Sequence, residues 1–398
     1  MTHHAIIVGG GIAGSAAAIA LRKAGVTAEV YEARHDGGDY SGAALRLPRN
    51  GLSALRALDA HDLVTDISYP VANTELSSGT GRHLGTVSFT GNGHNDVPRT
   101  MPRARLARVL RSTAADRGAA VTMNKRLIAA TSRSGSVIAT FDDGSTTEGT
   151  VLISADGLNS TTRRLTFPSA PEPRYAGTHL IYGYAPATTT VPPSPNAFHI
   201  YWGKKATFGY TSAAGDIYWY ANIASPAPLA ADVPRDIETW RERLIGLFRR
   251  DRTPATDVIR AADVILPSNA RTLDTLQTWH TDHTILIGDA AHAVPPATEQ
   301  GAALALEDAV VLAQALRDND QTAAALEAFE ATRRERVTRA GASRRSRTRH
   351  RRGTPRWLEQ RNRDRRIAQA AQSGAMNPPA WLHDHQITWN EIPNDKAR

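Results

Sequence analysis

Apolar residues fall into a few short, dense runs separated by longer mixed stretches. Ala5-Ile6-Ile7-Val8, Val151-Leu152-Ile153-Ser154-Ala155 and Thr284-Ile285-Leu286-Ile287 have almost no polar position between them. Runs of four or five residues that are apolar on both sides predict strands buried on both faces, as in a parallel sheet. Thr27–Glu32 reads as a further strand, with Glu32 at its end. Helical spacing covers Ser15–Lys23, Gly301 to about Leu316, and Ala323–Arg336. Strands alternating with helices define an α/β protein. The middle differs. Residues 175–220 carry 11 of the 24 aromatic side chains in short strand-like segments broken by turns such as Gly203-Lys204 and Ala214-Gly215-Asp216.

Composition narrows the classes. With 398 residues the chain has room for two or three domains. Hydrophobic residues are 41% and charged residues 22%, which excludes a disordered, collagenous or coiled-coil chain. There is no cysteine, so disulfides, thiolate metal sites and thiol nucleophiles are excluded together. No metal constellation stands out; His3-His4 lacks carboxylates at ligand spacing. The most apolar stretch, Ile6–Leu21, holds four glycines and is shorter than the roughly 20 residues a membrane span needs. No Lys or Arg precedes it, unlike a signal peptide. A cytoplasmic protein without a membrane partner is expected.

The formal net charge of +8 is uneven. Arg333–Arg366 holds 15 arginines against three acids, and the remaining 32 basic and 36 acidic residues leave the rest of the chain at −4. This segment reads as a solvated helical face. Alternatively it captures the 2′-phosphate of NADPH or steers anions. Nucleic-acid binding is the weakest reading, because Trp357 is the segment's only aromatic and no recognised binding motif accompanies it.

The first strand runs into Gly9-Gly10-Gly11-Ile12-Ala13-Gly14, then a helix, Gly25 and the second strand ending in Glu32. In this G-x-G-x-x-G arrangement Gly9 allows the tight turn. Gly11 admits a pyrophosphate, and Gly14 lets helix and strand approach. The helix N-terminus offers unpaired N–H groups to phosphates. Glu32, 18 residues after Gly14, is placed to accept from a ribose. The unit marks an adenine-dinucleotide site without choosing between FAD and NAD.

Two later motifs end buried strands with a carboxylate, where ligands sit in open α/β sheets. One is Asp156-Gly157-Leu158-Asn159-Ser160-Thr161-Thr162-Arg163. The other is Gly288-Asp289-Ala290-Ala291-His292, followed by Pro295-Pro296 and Gln300-Gly301. With the glycine motif and the R-x-x-L element Arg103/Leu106, these occur in the order found in single-component, group A FAD-dependent aromatic monooxygenases. Residues 5 to about 340 resemble that family, which has the para-hydroxybenzoate hydroxylase fold. The resemblance implies a Rossmann-like FAD-binding domain, an inserted antiparallel-sheet substrate domain and C-terminal helices. The expected segments are 1–70, 101–170 and 276–320 for FAD, 71–100 and 171–275 for substrate, and 321–398 for an Arg-rich helical end.

The resemblance also implies roles. Asp289 would bond the ribityl chain and Arg103 the flavin or pyrophosphate region. Asp156 and Arg163 would serve FAD and a transient NADPH or NADH. Pro295 and Pro296 would wall the isoalloxazine ring. Gly9, Gly11, Ala13, Gly14, Glu32, Arg34, Arg46, Gly288, Gln300 and Gly301 complete the cofactor set. A helix starting near Gly301 would aim its positive end at the flavin. Glu299 stands where the family most often has glycine; it either turns to solvent or touches substrate or flavin. His292 is structural in the family, with a catalytic base as the other reading. No single catalytic residue is assigned. Tyr210, Trp219, Tyr201, Glu299 and Pro295 are the expected substrate-pocket residues, although strand alternation prevents Tyr218, Trp219 and Tyr220 from all facing one way.

The function implied is NAD(P)H-consuming transfer of one oxygen of O2, through a flavin C4a-hydroperoxide, to an aromatic or polycyclic small molecule by a monomer or homodimer. Hydroxylation, epoxidation and Baeyer–Villiger insertion are not distinguished. Two alternatives stay open: a same-fold reductase or halogenase, although the halogenase W-x-W-x-I element is absent, and a nucleic-acid binder acting through the arginine segment.

Overall fold

In the computed structural model the opening run, His4–Val8, is the central strand of a five-stranded parallel sheet. The structure describes residues 3–37, 43–90, 96–188, 190–213, 215–230, 232, 236–342 and 356–390. The strand order is Thr284–Leu286, Val151–Ser154, His4–Val8, Thr27–Glu32, Ala120–Met123. The three apolar runs of the sequence therefore lie side by side, from one edge of the sheet to its central strand. Each is covered on both faces, which is why no alternation is visible in them.

Helix Ile12–Lys23 begins three residues earlier than the sequence pattern suggests, with Gly11 as its N-cap. Its alanines let it pack closely on helix Gly301–Asp318, which is buried along nearly its whole length. Residues 127–149 form a separate three-stranded antiparallel sheet that the sequence reading did not anticipate.

The second large layer is a seven-stranded sheet. Its order is Val264–Thr272, Arg174–Pro186, Asp216–Ala224, Thr207–Ala213, Ala197–Trp202, Asn73–Ser78, His83–Ser88. All pairs are antiparallel except Ala197–Trp202 with Asn73–Ser78. Arg174–Pro186 is one 13-residue strand with an irregularity between Tyr175 and His179, not several short ones. One face of this sheet, carrying Ile181, Phe208, Tyr210, Ile217, Trp219 and Ala221, is covered by helices Ile237–Phe248 and Ala255–Ala261. The opposite face carries Tyr182, Tyr184, Phe198, Tyr218 and Tyr220 and turns toward the parallel-sheet layer.

The C-terminal part folds back on both layers. Helix Thr322–Ala342 packs on Gly301–Asp318. Helix Arg356–Gln372 seats Ile367, Ala368 and Ala371 against Leu76, Leu84, Val87 and Phe89 at the sheet edge. Residues 380–389 return to the parallel-sheet layer: Arg336 donates to the carbonyls of Trp381 and Leu382, and Gln314 to those of Thr388 and Trp389. Residues 343–355 of the arginine segment lie outside the described residues.

Candidate active site

The three motifs meet above the C-terminal ends of the central strands. At Gly9 (φ +106°) an added Cβ would lie 2.5 Å from the Ala155 carbonyl oxygen, so the glycine turn and the strand before Asp156 touch backbone to backbone. A Cβ on Gly14 would fall 1.9 Å from Gly9 O. Ala13 adjoins Gly288, whose added Cβ would stand 3.1 Å from the alanine's own. Arg163 donates from Nη1 to Ala290 O at 2.9 Å and from Nη2 to Leu158 O at 2.7 Å, tying the second motif to the third.

Around Gly11 the protein is open: an added Cβ meets nothing within 4 Å. This is where the N-terminus of helix Ile12–Lys23 leaves N–H groups without intrahelical partners. Glu32 lies at the end of its strand. Its carboxylate accepts from Gly10 N–H (2.7 Å) and Arg34 N–H (2.9 Å), which fixes it beside the glycine turn. Arg111, which the sequence reading missed, donates to the carbonyls of Gly10 (3.2 Å) and Gly37 (3.4 Å). It stands eight positions after Arg103 on helix Arg103–Asp116, within the helical stripe that such spacing defines, so a signal existed.

Asp289 opens the short helix Asp289–His292 and lies 3.7 Å from the Cβ position of Gly301, at the start of the next long helix. Among the described residues its carboxylate has no hydrogen-bond partner. Arg103 is exposed at the start of its own helix, and its charge reaches the Tyr182 phenol. The open space at Gly11, two helix N-termini and the unpartnered carboxylate of Asp289 form a cradle suited to the pyrophosphate and ribityl hydroxyls of a dinucleotide flavin.

Three expected cofactor residues are engaged elsewhere. Asp156 accepts from Ser154 Oγ (2.6 Å) and from Thr162 N–H (3.0 Å) and Oγ1 (3.1 Å), bracing helix Thr161–Thr166. Arg163 is 1% exposed, and burial lowers its basicity against the attraction of Asp156. Its guanidinium is engaged by the Ala290 and Leu158 carbonyls. Gln300 is wholly buried; its Oε1 accepts from Asn50 and its Nε2 lies 3.1 Å from His383 Nε2. Only its backbone serves the helix start, its carbonyl accepting from Leu304 N–H.

Gln300 belongs to a buried polar network behind the loop. Glu307 and Asp308, both fully buried, meet Arg333 at 2.7 and 2.8 Å, and Arg336 also grips Glu307 at 2.7 and 2.8 Å. Asp308 further holds Gly288 N–H (2.9 Å) and His292 Nε2 (2.6 Å). Burial opposes the charge of Glu307, but Arg333 and Arg336 outweigh it and hold its carboxyl well below the usual range. Burial likewise opposes Asp308, and His292 and Arg333 prevail. His292 thus anchors the loop rather than acting as a base. The first arginines of the basic segment are not a solvated face: Arg333 and Arg336 are 2% and 4% exposed.

The substrate side also needs correction. Tyr210 and Trp219 point into the core beneath helices Ile237–Phe248 and Ala255–Ala261, with Tyr201 packed at its margin. The Tyr210 hydroxyl donates to Pro192 O, and its ring stacks on Tyr201 at 6.3 Å. Their neighbours Tyr182, Tyr184, Phe198, Tyr218 and Tyr220 occupy the other face, where Arg46 lies over Phe198. Phe198 stacks on Tyr220 at 5.8 Å, and Tyr184 meets Tyr218 edge-on at 5.6 Å. Burial raises the phenols of Tyr182 and Tyr218, with Arg103 opposing at Tyr182, and pushes Tyr184 up to about 12. At neutral pH these hydroxyls are proton donors, not phenolate bases.

Pro295 and Pro296 form the turn that leads to Glu299, which closes the 3₁₀ helix Pro296–Thr298 in a left-handed conformation (φ +56°). That conformation costs a non-glycine residue on the order of 1–3 kcal/mol. Its half-exposed carboxylate meets Arg46 Nε at 2.7 Å and Nη2 at 2.5 Å. Arg46 in turn donates to Thr74 Oγ1 at 2.7 Å and lies over Phe89 (4.9 Å) and Phe198 (5.7 Å). The pair bridges the flavin loop and the aromatic sheet face.

Such a cradle opposite an aromatic sheet defines a flavin-dependent oxidoreductase. Residues 2–343 match the FAD binding domain family, and the chain belongs to it, among the group A flavin monooxygenases. It is similar to the FAD-dependent urate hydroxylase of Klebsiella pneumoniae, at 30% identity over 84% of this chain and 86% of that one. Its similarity to the aurachin C monooxygenase/isomerase of Stigmatella aurantiaca is 26% over 83% and 85%. The crystal structure of Klebsiella pneumoniae HpxO complexed with FAD and uric acid superposes with a TM-score of 0.78 at 26% identity, covering 96% of this chain and 92% of that one. The cofactor is FAD. Among the described residues no helix is long and apolar enough to cross a membrane, and no cluster of metal-ligating side chains occurs.

Proposed function

We propose that this chain is an NAD(P)H-consuming monooxygenase that places one oxygen atom of O2 on a small aromatic or heteroaromatic substrate. FAD, reduced by NAD(P)H and then meeting O2, would supply the oxygen-transfer chemistry. The chain's own residues hold and orient. Gly11 and the N-terminus of helix Ile12–Lys23 would receive the pyrophosphate, Glu32 the adenosine ribose and Asp289 the ribityl chain. The N-terminus of helix Gly301–Asp318 would stabilise negative charge on the reduced ring. Tyr182, Phe198 and Tyr220 would lay the substrate ring against the flavin and keep water out.

The observation that carries this reading is the position of Arg46. Its guanidinium pairs with Glu299 on the flavin loop and covers Phe198 of the aromatic sheet, so cofactor cradle and aromatic face front one cleft. The enzyme would act in the cytoplasm, where NAD(P)H is supplied.

Purified, FAD-loaded protein should oxidise NADPH or NADH faster when an accepted aromatic compound is added. The product should contain one oxygen from isotopically labelled O2. If every compound in a panel of phenols, N-heteroaromatics and polycycles left the O2 consumed as hydrogen peroxide with no oxygenated product, the monooxygenase reading would fail in favour of a reductase.

A further inference from the structure

We propose that Arg46 and Glu299 are the substrate-selecting pair of this cleft, and that they select for ring substrates without a negative charge; this rests on the reading above. A guanidinium has five N–H donors. Two of Arg46's meet Glu299 Oε2 and one meets Thr74 Oγ1. Two donors remain, and the guanidinium carbon lies over the rings of Phe89 (4.9 Å) and Phe198 (5.7 Å). Glu299 Oε1 has no hydrogen-bond partner among the described residues, and the carboxylate is 38% exposed where Arg46 is 12%. The pair thus presents two N–H donors beside one carboxylate oxygen, with no net charge.

That edge matches a donor–acceptor group such as an amide, lactam, phenol or ring N–H. It also tolerates an amine. An aromatic carboxylate would have to compete with Glu299 for Arg46 and would meet a like charge at short range. The backbone supports a specific purpose. Glu299 occupies a left-handed conformation in which glycine would be unstrained, so the carboxylate is held there against a local preference.

The test compares binding, not turnover. FAD-loaded wild type and Glu299→Gln are titrated with a matched pair of probes, 4-hydroxybenzamide and 4-hydroxybenzoate, following the flavin absorbance. Glu299→Gln keeps the side-chain volume and leaves Arg46 unneutralised. The carboxylate probe should bind the variant at least about tenfold tighter than it binds wild type, with the amide probe unchanged or weaker. Glu299→Gly, suited to φ +56°, should behave in the same way, which separates the charge effect from any distortion by glutamine. A variant that binds the carboxylate no better than wild type, including one that does not bind it at all, overturns the proposal. Flavin content and product oxygenation report separately on the monooxygenase reading, so the two can fail independently.

Discussion

Arg333 begins a run of arginines that looks like surface charge, yet it sits in the interior. Replacing it with methionine tests whether the fold depends on it. Beside His292, the buried cluster holds two carboxylates, Glu307 and Asp308, matched by two guanidiniums, Arg333 and Arg336. Arg333→Met removes the contacts to Glu307, Asp308 and Leu304 O, leaving one carboxylate charge uncompensated and fully buried. Breaking a buried pair from one side costs roughly 3–5 kcal/mol. At about 1.2 °C per kcal/mol for a chain of this size, the melting temperature should fall by roughly 4–6 °C. The control is Arg339→Gln. Arg339 is exposed and, among the described residues, its one polar or ring partner is Trp381, at 4.0 Å; its loss should cost no more than about 1 kcal/mol. Circular dichroism melts of both variants, FAD-loaded, provide the comparison. Equal melting temperatures for Arg333→Met and Arg339→Gln would refute the assignment of Arg333 to a buried structural pair.

The same cluster predicts an acid dependence. The folded carboxyl of Glu307 lies below its ordinary value of 4.5. Its contribution is therefore complete above about pH 5 and is lost as pH falls from 4.5 toward the depressed folded value; the decline in melting temperature on acidification should be shallower in Arg333→Met. At the glycine turn, Gly11→Ala should leave apoprotein stability within about 1 kcal/mol but weaken FAD binding at least about tenfold, because its methyl meets only the space assigned to the cofactor. Gly14→Ala should damage the apoprotein itself, since its Cβ would overlap Gly9 O; isothermal titration with FAD and apoprotein melts distinguish the two. On the large sheet, Trp219→Ala should cost roughly 3–5 kcal/mol of stability. Tyr220→Ala should instead raise the substrate KM roughly 2- to 10-fold, the loss of an aromatic contact; the reverse pattern would show that the faces are misassigned.

The difference between Trp219 and Tyr220 shows what a sequence can and cannot tell about such a site. Period-two alternation separates Trp219 from Tyr218 and Tyr220 without any structure. It does not say which face meets the cofactor. That depends on what covers the other side, here helices Ile237–Phe248 and Ala255–Ala261, which come later in the chain and carry no motif. The glycine turn was legible for the opposite reason. Gly14 answers a contact with Gly9 five residues back, and Gly9 one with the adjoining strand of the same sheet, where backbone geometry leaves few alternatives.

Burial of the arginines was partly legible. Glu307-Asp308 interrupts a largely apolar, buried stretch of helix, and adjacent acids in such a stretch require cationic partners. Arg333 and Arg336, three apart on one face of the next helix, supply them. Counting net charge hid this, because the count treats a paired interior guanidinium like a solvated one. Glu299 and Gln300 mark the limit. The residue type at 299 was visibly unusual, but its partner Arg46 lies 253 positions away. The left-handed turn at Glu299 then sends its carboxylate to Arg46 while the amide of Gln300 goes to the interior. No period along the chain encodes that divergence; it follows from one backbone angle and from two partners, Arg46 and Asn50, that only the fold brings to opposite sides of the loop.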